Sequence, residues 1–192
     1  NHLSPLETEH VAFGKAYGRT LREPVLADRD FPPYDRVMMD GIAICLSKNQ
    51  GPLFTSLGIQ KAGLAAQILE NPNACYEVMT GAVLPVGCDT VIPVEEIFEK
   101  EGVFTLRAGY GPTEGQFIHW KGSDNLLGDL LLTPGQTLTA KEIAVLATCG
   151  YKEIAVSPLP KITIVSTGDE LIDVDQTPGP FQVRKSNVYA LE

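Results

Sequence analysis

The sequence predicts a mixed α and β fold made of more than one structural unit. Capping boxes at Ser4 and Thr139 indicate helices in two separated parts of the chain. Between about residues 42 and 125, short β-branched and aromatic segments alternate with Gly, Pro and Asn, which is typical of β-rich structure. Near the end, residues 161–165 have the nearly continuous apolar character of a strand buried on both faces.

The composition is that of a globular protein with an acidic surface. The 192 residues include 24 Asp and Glu against 15 Lys and Arg, a formal net charge of −9. This balance argues against binding to nucleic acid or to an anionic membrane. No apolar run reaches transmembrane length, and no signal peptide is visible, so we expect a cytoplasmic protein. The cysteines lack C-x-x-C spacing and are predicted to be free, buried thiols. They are Cys45, Cys75, Cys88 and Cys149.

The two helices are predicted from their end signals. The first begins at Ser4, where proline follows the capping residue, and ends near Tyr17. The second begins at the capping box of Thr139 and Glu142 and stops at Gly150, a residue suited to a left-handed conformation.

Residues 28–37 are predicted to form an extended, stiff segment, called the strut below. Pro32 and Pro33 fix φ and lack amide donors, so this segment cannot lie in a central strand. After the strut, Asp40 and Gly41 form a bend that precedes an apolar run with the character of a strand. Asp40 is either a site residue presented at this bend or the carboxylate that closes an Asx-turn.

Further strands are predicted from short β-branched or apolar runs that end at turn residues. They are residues 75–79, 91–94, 103–106 and 130–132. Residues 80–89, called the Thr80 loop, contain two glycines and a proline. This loop is either an ordinary connection or one that offers the Thr80 hydroxyl and nearby amides to an oxyanion.

Residues 116–125, called the Asp124 loop, group polar side chains around a glycine turn. His119, Trp120, Lys121 and Asp124 stand within this short segment. It is either part of a site or a buried Trp with solvated polar neighbours.

The predicted strand at 161–165 ends in a polar glycine turn. Residues 166–171, the Glu170 turn, follow a strand at the position where open α/β sheets bind ligands. Residues 186–191 then have the pattern of a helix start. One strand and one helix start do not make an α/β domain, so we expect the chain to be truncated within its last domain.

Four stretches, in this order and spacing, resemble one enzyme family. They are the strut with Met39-Asp40-Gly41, the Thr80 loop with Glu95-Glu96, the Asp124 loop with Pro134-Gly135 and Leu138-Thr139, and the Glu170 turn. Together they resemble the molybdopterin molybdenumtransferases of the MoeA and gephyrin E-domain type. The resemblance runs across nearly the whole chain, and the ordered set is far more specific than any single motif.

The resemblance implies an activity, an assembly and partners. It implies insertion of molybdate into adenylylated molybdopterin with release of AMP, a requirement for Mg²⁺, and an elongated homodimer. A molybdopterin adenylyltransferase is a candidate partner. The site is expected between the α/β domain of one subunit and the β-rich inserted domain of the other.

Site residues carry over from the resemblance one by one. The expected catalytic residues are Asp40, Thr80, Asp124 and Glu170, and three of them, Asp40, Asp124 and Glu170, are also the expected metal ligands. The expected substrate-binding residues are Lys121, Ser166, Thr167, Gly168 and Asp169. Carboxylates suit Mg²⁺, which prefers hard oxygen ligands and commonly bridges to phosphate oxygens.

The resemblance also implies the domain division. Residues 1–27 with 128–157 are expected to form a helical and extended unit, into which a β-rich domain of residues 28–127 is inserted. Residues 158–192 are expected to begin a truncated α/β molybdopterin-binding domain, so this chain alone is expected to be inactive.

Three departures from the family pattern favour an alternative function. Arg36-Val37-Met38 replaces Asn-Ser-Ala, and Lys185 replaces an Asp. An arginine-rich run followed by Gly-Glu-Asp is replaced by His119-Trp120-Lys121-Gly122-Ser123-Asp124, so that Ser123 stands in the place of a Glu. These changes alter the support of Asp40 and remove anion-binding charge. They favour a non-catalytic, dimerising scaffold of the same architecture, whereas the retained Asp40, Thr80, Asp124 and Glu170 favour the enzyme.

Overall fold

The structure, a computed structural model, describes residues 7–49 and 51–191. In this part of the chain β-strands predominate. The strands are β1 (Glu9–Ala12), β2 (Val25–Leu26), β3 (Arg36–Val37), β4 (Gly41–Ile44), β5 (Leu53–Gln60), β6 (Ala74–Val78), β7 (Thr90–Pro93), β8 (Ile97–Lys100), β9 (Val103–Leu106), β10 (Ile118–His119), β11 (Leu130–Leu132), β12 (Glu153–Val156), β13 (Leu171–Ile172) and β14 (Val183–Arg184). The helices are α1 (Ala140–Thr148) and α2 (Asn187–Leu191).

A six-stranded sheet forms the centre of the β-rich part. Its strand order is β7-β4-β6-β5-β9-β8, and the neighbours are antiparallel except for the parallel pair β5 and β6. Pro93 lies in β7, which is an edge strand, where the missing amide donor removes no ladder bond that the sheet needs.

At β4 and β7 the sheet is buried on both faces, to which successive side chains point in alternation. Ala43 and Val91 belong to the core on one face, and Ile42 and Ile92 to the core on the other. All four side chains are fully buried. This explains why β4 and β7 have near-continuous apolar sequences rather than a strict alternation.

A third core combines two distant parts of the chain. Its buried residues come from 16–25 and from 132–156, with Leu146 of α1 among them. Two antiparallel ladders, β1 with β12 and β2 with β11, join the same parts.

The predicted N-terminal helix is wrong where the structure describes it. Its start at Ser4 lies outside the described residues, but the segment Glu9–Ala12 is strand β1, and a short 3-10 turn, Phe13–Lys15, follows. Pairing with β12 overrides the local helix signal, because long-range contacts outweigh weak propensities. The described residues of the unit expected to be helical, 7–27 and 128–157, therefore contain four short strands and one α-helix, α1.

The second helix is confirmed. Helix α1 follows Thr139, whose amide donates to Glu142 Oε2 at 2.9 Å, and Gly150 has a φ of 73°. The predicted strands near 75–79, 91–94, 103–106 and 130–132 are confirmed within about one residue as β6, β7, β9 and β11. All four cysteines are free and buried, as predicted.

The predicted strand at 161–165 is wrong. The segment is irregular, and Ile162 and Val165 are 79% and 74% exposed. A strand needs neighbours to satisfy its backbone groups, and none pairs with it within residues 7–49 and 51–191. The helix start near 186–191 is confirmed as α2. Among the described residues, no helix has the length and apolar character needed to cross a membrane.

Candidate functional site

The strut is held on one side by the Thr80 loop. The Val37 amide donates to the carbonyl of Ala82 at 2.9 Å, and the Gly81 amide donates back to the Val37 carbonyl at 2.9 Å. Leu84 adds a third bond, from its amide to the Asp35 carbonyl at 2.8 Å. These bonds fix the end of the strut, and hence Asp40, beside Thr80.

The Asp124 loop holds the strut on its other side. The Gly122 amide donates to the Pro32 carbonyl at 3.0 Å, and the Asp124 amide donates to the Phe31 carbonyl at 2.9 Å. The Lys121 amide donates to the Asp35 carboxylate at 2.9 Å. Three of the four family-like stretches, separated by up to about ninety residues, thus meet along the strut.

Asp40 and Thr80, two of the predicted catalytic residues, are in direct contact. The Thr80 amide and hydroxyl both donate to Asp40 Oδ1, at 2.7 and 2.8 Å. These two hydrogen bonds, the amide first, lower the pKa of Asp40 below its ordinary value and keep it ionised at neutral pH. The partner of the Asp40 carboxylate is thus Thr80, forty residues further along the sequence, and not the nearby backbone amide that an Asx-turn uses.

Thr80 does not have the geometry of an oxyanion donor. Its amide and its hydroxyl are both directed at Asp40, so neither is available to a substrate anion in this conformation. The arrangement instead makes Thr80 a residue that positions Asp40.

Close packing at Gly41 fixes the bend that presents Asp40. A Cβ at this position would lie 1.9 Å from the Ile92 carbonyl oxygen in β7, so only glycine allows the two strands to approach. The Asp40 carbonyl accepts the Val94 amide at 2.9 Å. Asp40 lines a cavity of about 290 Å³ whose walls include Glu77 and the apolar side chain of Met79.

Asp124 lies in a different cavity and has a different partner. Its Oδ1 is 2.8 Å from Nε2 of His119. It lines a cavity of about 490 Å³ together with Phe31, Leu130 and Cys149. The structure therefore brings Asp40 together with Thr80, but places Asp124 apart from both.

The neighbours of Asp124 differ from expectation in two respects. Trp120 is 45% exposed, so the interpretation of a buried Trp is wrong. Lys121 Nζ is 3.4 Å from Asp30 Oδ2, so its charge is already partly paired. Asp30 also accepts the Leu127 amide at 3.0 Å, and this bond is the main cause of its lowered pKa.

The Glu170 turn lies in the C-terminal part of the described chain. A Cβ on Gly168 would lie 2.6 Å from both carboxylate oxygens of Glu170, so this carboxylate folds over the glycine. Thr167 and Asp169 are exposed. Ser166 lines a cavity of about 240 Å³, whose other lining residues are Leu171, Val183, Arg184, Lys185, Ser186 and Asn187.

The donors of one chain do not fit Mg²⁺. Residues 7–49 and 51–191 contain no group of three or more His, Cys, Asp or Glu side chains that could hold a metal ion. Asp40 and Asp124 line separate cavities. Their oxygens therefore do not converge on one ion within a single chain.

A family model described as the MoeA N-terminal region, domains I and II, matches residues 1–150. The chain belongs to this family. Similar curated proteins are molybdopterin molybdenumtransferases: that of Synechocystis is 40% identical over 179 residues, covering 92% of this chain and 46% of its own length. The one from Staphylococcus aureus is 33% identical over 193 residues, with coverages of 97% and 46%.

Solved structures of the MoeA family share the fold. A crystal structure of the molybdopterin biosynthesis MoeA protein from Pyrococcus horikoshii matches with a TM-score of 0.82 and 28% identity, covering 96% of this chain and 50% of that one. The chain thus spans about half the length of the MoeA relatives it matches.

Sequence reasoning missed some residues that the structure brings to the site of this MoeA-family chain. In the sequence, Arg36 is noted as a departure from the family pattern and His119 as a member of the Asp124 loop, but their contact is not predicted; they face each other across β3 and β10. Nothing in a single sequence indicates that two-residue pairing. Glu77 was also missed, although the pattern of β6 predicts which of its residues share a face.

Proposed function

We propose that this chain provides the N-terminal part of a molybdopterin molybdenumtransferase that inserts molybdate into adenylylated molybdopterin and releases AMP. The relatives with this name support the reaction. The observation that carries the proposal is the ionised Asp40, which two hydrogen bonds from Thr80 orient in the wall of a cavity. A carboxylate fixed in this way acts on a substrate without a cost of reorientation.

The chain's own side chains have distinct proposed roles. Asp40 presents a permanent negative charge and a hydrogen-bond acceptor, and Thr80 sets its orientation. Asp124 presents a second carboxylate. Lys121 supplies a cation for the anionic substrate when its ammonium group leaves the ion pair with Asp30. Ser166, Thr167, Gly168, Asp169 and Glu170 form the proposed substrate-binding turn, with Glu170 also catalytic.

Mg²⁺ enters the proposal only at the level of an assembly. Because the carboxylates of one chain do not converge, no reaction step is assigned to the ion here. A homodimer, in which the β-rich part of one subunit faces the α/β part of the other, would bring Asp40 or Asp124 near Glu170 of the second subunit. Binding of Mg²⁺ is proposed for that composite site alone.

The proposed domain division follows the three cores. Residues 1–27 with 128–157 form one unit, residues 28–127 an inserted β-rich unit, and residues 158–192 the start of an α/β unit. The two-segment core, with Leu21 and Leu138 at its centre, supports the first unit. The two cores of the six-stranded sheet support the second. An elongated shape, a cytoplasmic location and an adenylyltransferase partner belong to the same proposal.

A chimera tests the function. Residues 1–150 replace the matching part of the Synechocystis molybdopterin molybdenumtransferase, and AMP release from adenylylated molybdopterin is measured with molybdate and Mg²⁺. We expect a rate within about tenfold of the Synechocystis parent, and a fall of about 10²-fold in Asp40→Asn, by analogy with removing one electrostatic stabiliser. Exposed Glu114, changed to Gln, is the matched control.

The outcomes separate enzyme from scaffold. A folded chimera that forms dimers in sedimentation equilibrium but releases no AMP would favour the scaffold. Equal rates for Asp40→Asn and the control would remove Asp40 from the mechanism. The 192-residue chain alone is included as a reference, and we expect no turnover from it because it spans about half the length of the relatives it matches.

A further inference from the structure

Arg36, His119 and Asp124 form a chain of two hydrogen bonds. Arg36 Nη2 is 2.8 Å from His119 Nδ1, and His119 Nε2 is 2.8 Å from Asp124 Oδ1. The register of β3 and β10 places Arg36 and His119 directly opposite each other. Arg36 and His119 both lie in the segments that depart from the family pattern, so the two departures form one structural feature.

The chemistry of arginine fixes the tautomer of the ring. A guanidinium has five N–H donors and no acceptor, so His119 Nδ1 must be the acceptor of the bond with Arg36. The single proton of the neutral ring is then on Nε2, which faces Asp124 and donates to its carboxylate. The direction of both bonds follows from this: Arg36 donates to His119, and His119 donates to Asp124.

The surroundings hold this row of hydrogen-bonded side chains in place. The side chain of His119 is only 23% exposed, whereas that of Asp124 is 55% exposed. The Asp124 backbone is fixed separately, through its amide bond to the Phe31 carbonyl. A partly buried ring that is fixed at both nitrogens can therefore orient a carboxylate that is otherwise open to solvent.

We propose that His119 is a positioning residue for Asp124 and that Arg36 sets the tautomer in which it acts. The proposal rests on the proposed function in one respect, that Asp124 takes part in the reaction. Arg36 and His119, which stand where the family has other residues, thus act together: the pair keeps the Asp124 carboxylate in one orientation.

The tautomer is tested by NMR without any activity assay. The chain has three histidines, whose ring nitrogens are labelled. The signals that disappear in His119→Gln are those of His119. At mildly alkaline pH we expect a proton on Nε2 and none on Nδ1 of His119, both in the native chain and in Asp124→Ala, because the bond from Arg36 to Nδ1 does not depend on Asp124. A proton on Nδ1 in either protein would overturn the assignment, whatever the chimera does.

Positioning is tested in the active chimera with two amides. Gln places its NH₂ near the position of Nε2 and keeps donation to Asp124, whereas Asn can replace only the Nδ1 acceptor. We expect His119→Gln to retain kcat within about threefold and His119→Asn to lose about tenfold, the cost of one hydrogen bond to a charged group. KM should change less than kcat in both variants.

Exposed His10, changed to Gln, is the matched control and should leave both constants unchanged. Equal losses in the Gln and Asn variants would show that the bond to Asp124 is not what His119 contributes. If the unmodified chimera is inactive, the proposed function fails, and the NMR experiment still decides the tautomer and the direction of the bonds.

Discussion

At the scale of single residues, the contact between Asp40 and Thr80 determines what each side chain can do. Asp40 accepts two hydrogen bonds at one oxygen, and Thr80 has no donor left for a ligand. Thr80 should therefore affect catalysis indirectly, and its replacement should change the pKa and the orientation of the Asp40 carboxylate.

The first prediction follows from this contact. Thr80→Val keeps the shape and the backbone amide but removes the hydroxyl donor, so the pKa of Asp40 should rise toward its ordinary value of 3.8. Thr80→Ser, which keeps the hydroxyl, is the control. A carbon NMR titration of the Asp40 carboxyl measures the shift, and AMP release by the chimera should fall about tenfold in the Val variant only. An Asp40 pKa that is the same in both variants would contradict the assigned role.

At the scale of elements, the contact between β4 and β7 depends on the glycine that starts β4. The carbonyl of Ile92 occupies the place that a side chain on Gly41 would take. The bend at Asp40 is therefore a property of two strands and not of a local turn.

Gly41→Ala should be strongly destabilising. The added methyl must push β4 away from β7, and we expect a loss of at least about 2 kcal/mol in the free energy of unfolding, which is at the level of overpacking in a core. Gly14→Ala is the control because a Cβ added there would have no atom within 4 Å. Urea denaturation of both variants measures the difference, and equal midpoints would refute the close-packing argument.

The elements also show how far the sequence could be interpreted. Helix α1 was predictable because its capping box at Thr139 and its stop at Gly150 are local signals. Strand β1 was not, because its partner β12 lies more than a hundred residues away. The apolar run at 161–165 was misjudged for the converse reason, since an apolar pattern predicts a strand only where other strands are present to pair with it.

The candidate site was predictable to a similar extent. The types and order of Asp40, Thr80 and Asp124 suffice to select them, because their motifs are recognisable in the chain. The pairing that makes Thr80 a partner of Asp40, and Arg36 a partner of His119, depends on backbone bonds between distant segments. Such contacts leave no periodic pattern in one sequence.

At the scale of the whole molecule, buried thiols connect stability to pH. Burial is the main cause that raises the pKa of Cys75 and of Cys88 to about 12, from an ordinary value of 9.0. The folded protein therefore keeps both protons at a pH where the unfolded chain releases them. This stabilisation is complete below pH 9 and is lost as the pH rises from 9 toward 12.

The corresponding prediction is a fall in the free energy of unfolding above pH 9. Each thiol contributes up to about 1.4 kcal/mol per pH unit. Urea denaturation across this range measures the slope, and the Cys75→Ala and Cys88→Ala double variant provides the comparison, because other groups also titrate. Parallel curves for the two proteins would show that these thiols are not responsible.

The core built from residues 16–25 and 132–156 has a consequence for the order in which the protein folds. On a ribosome, the first of these segments emerges long before the second, and its apolar side chains have no partner in the interval. The six-stranded sheet, whose strands all lie between the two segments, can form during that time and shortens the loop that the late core must close. We therefore expect closure of that core to be the last step of folding, with Leu21 and Val25 exposed until residues 132–156 have emerged.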